Sequence, residues 1–241
     1  MKLPVIEGII RRRILVNFRV EPEVMQRQLP SRFTPKLHAG KAIAGICLIR
    51  LEQIRPKFLP SFLGISSENA AHRIAVTWRD DAGAEKEGVF IPRRDTGSWL
   101  NHVTGGRLFP GEHHLAKFTV ESSAEEIDFE MQSNDGEVAV RLHAVHSQTL
   151  PKESAFTTLS EASDFFECGS CGFSTTRAGN RLDGISLKTK TWHLEPLEVK
   201  EVYSSYFQDA ERFPSGSVEF DCALLMRNVG HEWHTEPDLY V

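Results

Sequence analysis

Glu87-Gly88-Val89-Phe90-Ile91-Pro92-Arg93-Arg94-Asp95-Thr96-Gly97-Ser98 is an apolar strand end that runs into a proline and then two adjacent arginines. Proline fixes φ and removes a backbone donor, so it sits at strand margins and turns. The next two side chains can then project out of the sheet's hydrogen-bonding pattern. Two neighbouring guanidinium groups repel each other unless an anion or carboxylates lie between them. The stretch reads either as a solvated turn or as a cationic site that calls for an anion.

Outward from this stretch, the chain is a succession of short strands. Residues 74–78 and 88–91 flank the turn-like Asp80-Asp81-Ala82-Gly83, which is a hairpin signal. Residues 14–20 form a strand, and residues 42–51 are a mostly apolar strand that can be buried on both faces. Residues 115–121 and 127–132 follow, and the second leads into Asn134-Asp135-Gly136, the strongest short hairpin cue in the chain. Residues 137–147 complete that hairpin, with Val138, Val140 and Leu142 alternating against polar neighbours. Later strands are expected at 185–194, 199–207 and 218–226.

Helices are few. Pro22 opens a short one with acids in its first turn. A second covers 158–167 and is stopped by Gly169 and Gly172. The pattern predicts an α+β protein, mainly antiparallel β, with a curled or closed sheet. No linker, repeat or low-complexity segment divides residues 1–241, so one domain is expected.

Bulk composition narrows the function classes. The 241 residues are 40% hydrophobic and 25% charged, ordinary for a globular protein with a sizeable core. A net charge of −5 gives no polybasic footprint, so nucleic acid is not an expected partner. The apolar runs fall short of a membrane span, and Met1-Lys2-Leu3-Pro4-Val5-Ile6-Glu7 lacks the apolar core of a signal peptide. A cytoplasmic location, without membrane association, is the default expectation.

Several motifs suggest chemistry and lack its context. Cys168-Gly-Ser-Cys171 has redox or half-zinc-site spacing, but it follows a helix rather than opening one and has no second pair. His113-His114 and His143-x-x-His146 place their rings on opposite faces of a strand. His231-Glu232-Trp233-His234 is one residue short of the helical zinc motif. Gly105-Gly106-Arg107-Leu108-Phe109-Pro110-Gly111 lacks the lysine of a phosphate loop and reads as a plain loop. No G-x-S-x-G elbow occurs. Neither a metal nor a cofactor is expected.

Arg11-Arg12-Arg13 precedes the first strand. In regular alternation Arg11 and Arg13 share one face and Arg12 takes the other, so at least one points to a packed side. A buried arginine requires a carboxylate or an anionic ligand. Glu68 is a candidate partner, against the commoner fate of a solvated loop carboxylate.

Taken together, these segments resemble the acetoacetate decarboxylase-like proteins, and most closely an uncharacterised branch, a domain of unknown function. The similarity runs from about Arg11 to His234. Residues 11–19 followed by Leu29-Pro30 look like the decarboxylase N-terminal strand and helix. Residues 44–50, 67–73, 91–96 and 217–221 look like the uncharacterised branch. The resemblance implies a cone-like or barrel-like antiparallel β fold around a central pocket, with a few short helices. It leaves room for a homo-oligomer built through exposed sheet surfaces.

In the true decarboxylases the equivalent of Pro92-Arg93-Arg94 reads Pro-Lys-Lys, and the first lysine forms a Schiff base with a β-keto acid, with a pKa lowered by its cationic neighbour. The resemblance places Arg93 at that lysine and Arg94 at the second. A guanidinium stays protonated and forms no imine, so the family's nucleophile is absent. The family's pocket arginine maps onto Arg11 and a pocket glutamate onto Glu68.

The expected site is therefore Arg93, Arg94, Arg11 and Glu68 around a small anionic metabolite, a carboxylate or carbonyl compound. Three readings follow. Two fixed guanidiniums could stabilise an enolate in a lyase or isomerase without imine chemistry. The same pocket could bind or sense a ligand without turning it over. Alternatively, Arg93 and Arg94 form internal ion pairs with Glu68, Glu87 or Asp95.

Overall fold

The computed structural model describes residues 4–105 and 110–240. Residues 106–109, the middle of the Gly-rich stretch, lie outside them, as do Met1, Lys2 and Leu3. The strands are β1 (Ile6–Val20), β2 (Thr34–Pro35), β3 (Leu37–His38), β4 (Lys41–Pro56), β5 (Ile65–Arg79), β6 (Glu85–Thr96), β7 (His113–Ser122), β8 (Glu126–Ser133), β9 (Ala139–His146), β10 (Cys171–Thr175), β11 (Arg181–Thr189), β12 (Glu195–Ser204) and β13 (Val218–Tyr240). The helices are α1 (Pro22–Gln26), α2 (Trp99–Thr104), α3 (Leu159–Cys168) and α4 (Ser205–Gln208), with a single 3-10 turn at Ser61–Leu63. Among the described residues, no helix is long and apolar enough to cross a membrane.

All strands join one 13-stranded sheet that closes on itself twice. Both rings share the wall β5–β4–β1 and fork at β6 and β13. The first half of β6 pairs in parallel with β10 through Val89 and Phe90, and its second half pairs in parallel with β7 through Arg94, Asp95 and Thr96. Pro92 sits between the two pairings, where a missing backbone donor costs no ladder bond. β13 forks likewise. Residues 223–225 pair with β12, while 231–236 and 239–240 pair with β11. The smaller ring is β6–β5–β4–β1–β13–β11–β10, and the larger runs from β6 through β7, β8, β9 and β12 back to β13. Apart from the two parallel ladders at β6 the pairings are antiparallel.

Two apolar clusters follow from this forking. One fills the larger ring with Ile14, Val16, Leu48, Val76, Phe129, Val140 and Leu225. The other uses the opposite face of the shared wall, with Ile10, Leu15, Ile49, Leu51 and Met226, and is covered by α3. Thr158 caps α3 by accepting from the Glu161 amide at 3.1 Å, and Glu161 accepts back from the Thr157 amide at 2.7 Å. Ala162, Phe165 and Phe166 then face the sheet at i, i+3 and i+4.

The hairpin reading of β8 and β9 holds. Gly136 has φ +76° and donates its amide to Ser133, so the turn needs glycine there. The strands run longer than their apolar cores suggested. β1 begins at Ile6, and β13 extends fourteen residues past Met226 to Tyr240.

Candidate functional site

Two β-bulges decide which arginines face what. His72 is paired with Arg93 and Ile74 with Phe90, so Ile91 and Pro92 together oppose Arg73. A bulge shifts the alternation of faces by one residue. Arg93 therefore joins Phe90 on the larger-ring side, and Arg94 joins Ile91 on the smaller-ring side. In β1, Ile10 pairs with Leu51 and Arg12 with Arg50, which leaves Arg11 as the extra residue. The expectation that Arg11 and Arg13 share a face fails for this reason. Arg11 is exposed and binds Glu52 at 2.8 Å and Asn228 at 2.8 Å.

Arg93 is surrounded by carboxylates. Its Nε and Nη2 lie 3.2 and 3.0 Å from Asp95 Oδ1, Nη2 is 2.8 Å from Asp135 Oδ2, and Nη1 is 2.6 Å from Glu137 Oε2. Asp135 also accepts from Ser133 Oγ at 2.5 Å and lies 3.1 Å from His114 Nδ1. Burial would raise Asp135, but the bonds from Ser133 and Arg93 hold it well below the ordinary carboxylate value. Burial pulls Arg93 down, and Asp95 and Asp135 more than offset it, so it stays above the usual arginine value. This cluster ties β6 to the β8–β9 turn. The internal pairing with Asp95 is present, joined by two acids the sequence did not single out.

Glu68 faces the larger ring as well. Its Oε2 accepts from Arg12 Nη2 at 2.8 Å, so the predicted buried arginine is Arg12 and its carboxylate is Glu68. Burial pushes Glu68 up, and Arg12 and Arg50 oppose that.

The smaller ring encloses a cavity of ≈ 160 Å³. Ile49, Leu51, Ile91, Ile185, Leu187 and Trp233 make most of its wall apolar, and Arg13, Arg73 and Arg94 give it charge. Among the described residues none of these three arginines has a carboxylate within ion-pair distance. Arg94 donates from Nε to Ser174 Oγ at 3.2 Å, and its Nη2 is shielded from solvent without a hydrogen-bond partner. Arg73, 4% exposed, donates from Nη2 to Asn17 Oδ1 and stacks over Phe166 at 4.8 Å, with Nε unpartnered. Arg13 donates from Nε to Cys47 Sγ at 3.3 Å and lies 5.8 Å over Trp192. Burial pulls both Arg73 and Arg94 down to about 10, so both remain cations at neutral pH. His113 lines the same cavity, and burial followed by Arg94 lowers it to about 3. It is a neutral imidazole there. No lysine lines the cavity among the described residues.

Of the four expected residues, Arg94 alone lines this cavity. Arg94 and Arg93 both line a second, polar cavity of ≈ 290 Å³ with Glu112, Ser174 and Arg177. There Arg177 is paired with Glu112 and Arg93 with its acids. Sequence reading passed over Arg13, Arg73, His113 and Cys47 as site residues. Arg73 carried a signal, since it directly precedes the apolar run Ile74-Ala75-Val76 and so had to be buried.

The remaining motifs do not assemble. Burial and Glu87 raise Cys168, and burial pushes Cys171 up to about 12, opposite to a reactive redox pair. His231 and His234 sit on β13, where His231 meets Trp233 edge-on with ring centroids 4.6 Å apart and His234 meets Glu232 at 2.9 Å. His143 pairs with Asp128 and His146 with Glu195.

The chain is similar to several solved structures over nearly its whole length. The chain is similar to acetoacetate decarboxylase from Legionella pneumophila at 12% identity and a TM-score of 0.59, over 98% of this chain and 88% of that one. It is similar to an acetoacetate decarboxylase-like enzyme from Sphingomonas wittichii RW1 at 10% identity and a TM-score of 0.59, over 99% and 92%. It is also similar to the enduracididine biosynthesis enzyme MppR complexed with pyruvate, at 10% identity and a TM-score of 0.56, over 100% and 91%. At these identities the likeness establishes the fold, an acetoacetate decarboxylase-like one. No curated protein matches the chain. Residues 10–224 match the family DUF2071, described as an uncharacterized conserved protein, and the chain belongs to that family.

Proposed function

We propose that the smaller-ring cavity binds a small carboxylate-bearing metabolite with a neighbouring carbonyl, and that it does so without lysine imine chemistry. The observation that carries this reading is the convergence of Arg13, Arg73 and Arg94 on one cavity whose one lining carboxylate, Asp95, is paired with Arg93, so that none of the three has a carboxylate within ion-pair distance among the described residues. Buried cations left uncompensated are costly, and an anionic ligand would remove that cost. The cavity has room for about five water-sized bodies, which suits a compact acid. Its largely apolar wall lowers the local dielectric and strengthens the charge–charge attraction.

Arg94 would hold the carboxylate through its unpartnered Nη2, and Arg73 would face it from the next strand. The neutral His113 can accept or relay a proton beside them. The same guanidiniums suit an enolate, so a lyase or isomerase step is the chemistry in keeping with this site. The fold relative complexed with pyruvate supports a 2-oxo acid as the first ligand to test. Arg93 supports the site from outside by anchoring the strand that carries Arg94.

The test pairs thermal shift with borohydride trapping. Pyruvate and acetoacetate should raise the Tm, and Arg94→Met should abolish that rise. Borohydride added to either mixture should leave every lysine unmodified by mass. A reduced adduct on a lysine would overturn the imine-free reading. An equal Tm rise in Arg94→Met would overturn the cavity assignment. Product analysis of the same mixtures by NMR separates turnover from binding alone.

A further inference from the structure

Cys47 stands on β4 in a row that crosses the wall of the cavity. Its register partners are Leu15 on β1 and Ala71 on β5, and Ala71 in turn faces Arg94 on β6. Alanine leaves the space above it open to the long Arg94 side chain. Arg13 and Arg73 lie two residues along from those partners and are the diagonal neighbours of Cys47, about 7–8 Å away in such a ladder. Arg13 Nε reaches Cys47 Sγ at 3.3 Å. Cys47, Arg13, Arg73 and Arg94 all line the cavity.

Arg13 thus donates directly to the sulfur that would attack, and the cavity lies open beside it. A second observation places an anion seat beside the sulfur. Arg73 is almost wholly buried with its Nε unpartnered, and Arg94 Nη2 is equally shielded and unpartnered. The other thiols lack such surroundings. Cys222 is pushed up by burial and then by Asp221. Cys168 is pushed up by burial and Glu87, and Cys171 by burial and Glu236.

We propose that Cys47 is a nucleophile that adds to the carbonyl carbon of a 2-oxo acid whose carboxylate rests on Arg94 and Arg73. This rests on the anion-cavity reading above and names the atom that reacts. In the step a carbon–sulfur bond forms. The π pair of the C=O bond moves to its oxygen, and that oxygen takes up the proton released by the thiol. The product is a hemithioketal. Nothing leaves, no oxidation state changes, and the step reverses by the same path.

Two probes test it on the full-length protein. The first is alkylation by iodoacetate against iodoacetamide, read at each cysteine by peptide mass mapping. With either reagent the sulfur–carbon bond forms and iodide leaves, but only iodoacetate carries a carboxylate for Arg94. Relative to exposed Cys168, Cys47 should prefer iodoacetate by about tenfold, the value of one charge-assisted hydrogen bond. Pyruvate should protect it, and Arg94→Met should collapse the preference while leaving the iodoacetamide rate within a few-fold. The second probe is pyruvate labelled at its ketone carbon. A tetrahedral-carbon signal should appear with the protein and vanish in Cys47→Ser, which should still show the pyruvate Tm rise. A Tm rise with no iodoacetate preference and no tetrahedral carbon would overturn the nucleophile and leave the cavity reading standing. No Tm rise and no protection would overturn both.

Discussion

Arg93→Met is expected to lower the unfolding free energy by about 3–5 kcal/mol, whereas Arg94→Met, one residue away, is expected to cost little or to stabilise. The contrast comes from their partners. Arg93 is buried against Asp95, which is fully shielded from solvent, and also pairs with Asp135, whose side chain is partly exposed at the turn. Removing the guanidinium leaves a buried carboxylate without a counter-ion, the situation that makes breaking a buried pair expensive. The exposed Glu137 contact adds little, because solvent screens it. Burial already raises Asp95 and Arg93 holds it back, so Asp95 in the variant should take up a proton. The penalty of Arg93→Met should therefore shrink between pH 7 and pH 5.

Arg94 has no carboxylate to abandon among the described residues. Methionine there replaces a desolvated cation by an apolar chain in a largely apolar wall. Urea unfolding of both variants at pH 7 decides the matter. Equal losses for the two would mean that the Pro92 bulge does not separate their roles. A site held at the expense of stability is what a ligand cavity requires, and pyruvate should stabilise wild type and Arg93→Met, which retain Arg94, while leaving Arg94→Met unchanged.

Much of this architecture was legible before any coordinates. The Asn134-Asp135-Gly136 turn, Pro22 at the first position of α1 and the Thr158 cap are local signals, and local chemistry enforces them. The fold followed from segment resemblance and from the run of short strands. The site was legible only to within one residue. Arg93 and Arg94 are adjacent, and which one enters the cavity depends on whether Pro92 is counted in the ladder. Likewise the bulge at Arg11 sends Arg13, not Arg11, toward the cavity. A bulge leaves no reliable composition signature, yet it exchanges the two faces of everything beyond it. The forks at β6 and β13 are hidden for a related reason. Each half of such a strand pairs with a different partner, and pairing partners distant in sequence are not written in alternation. The acids around Arg93 illustrate this, since Asp135 and Glu137 belong to a hairpin turn some forty residues away.

Acid should destabilise the protein well before its carboxylates protonate. His72 is fully buried, packs against Tyr206 at 4.5 Å, and has no hydrogen-bond partner on either ring nitrogen among the described residues. Burial, then Arg93 and Arg212, lower it to about 3. His231 is lowered to about 4 by burial and then Arg13. Both lie below the ordinary histidine value of 6.5 that the unfolded chain would show. As pH falls through that value the unfolded state takes up protons that the folded state refuses, so stability present above it is lost on the way down toward pH 4. His113 is lowered to about 3 as well, and each group contributes about 1.4 kcal/mol per pH unit inside the window, so the three together give a slope of about 4 kcal/mol per unit. Glu68 and Asp95, raised by burial, work in the opposite sense toward the acid end. A difference measurement removes that complication. His72→Phe extends the Tyr206 and Phe207 cluster with a ring that cannot be protonated, and it should remove about a third of the slope while leaving stability at pH 7.5 close to wild type. Urea midpoints at pH 7.5, 6 and 5 for the two proteins provide the check. Parallel pH profiles would show that His72 is not a source of the acid sensitivity.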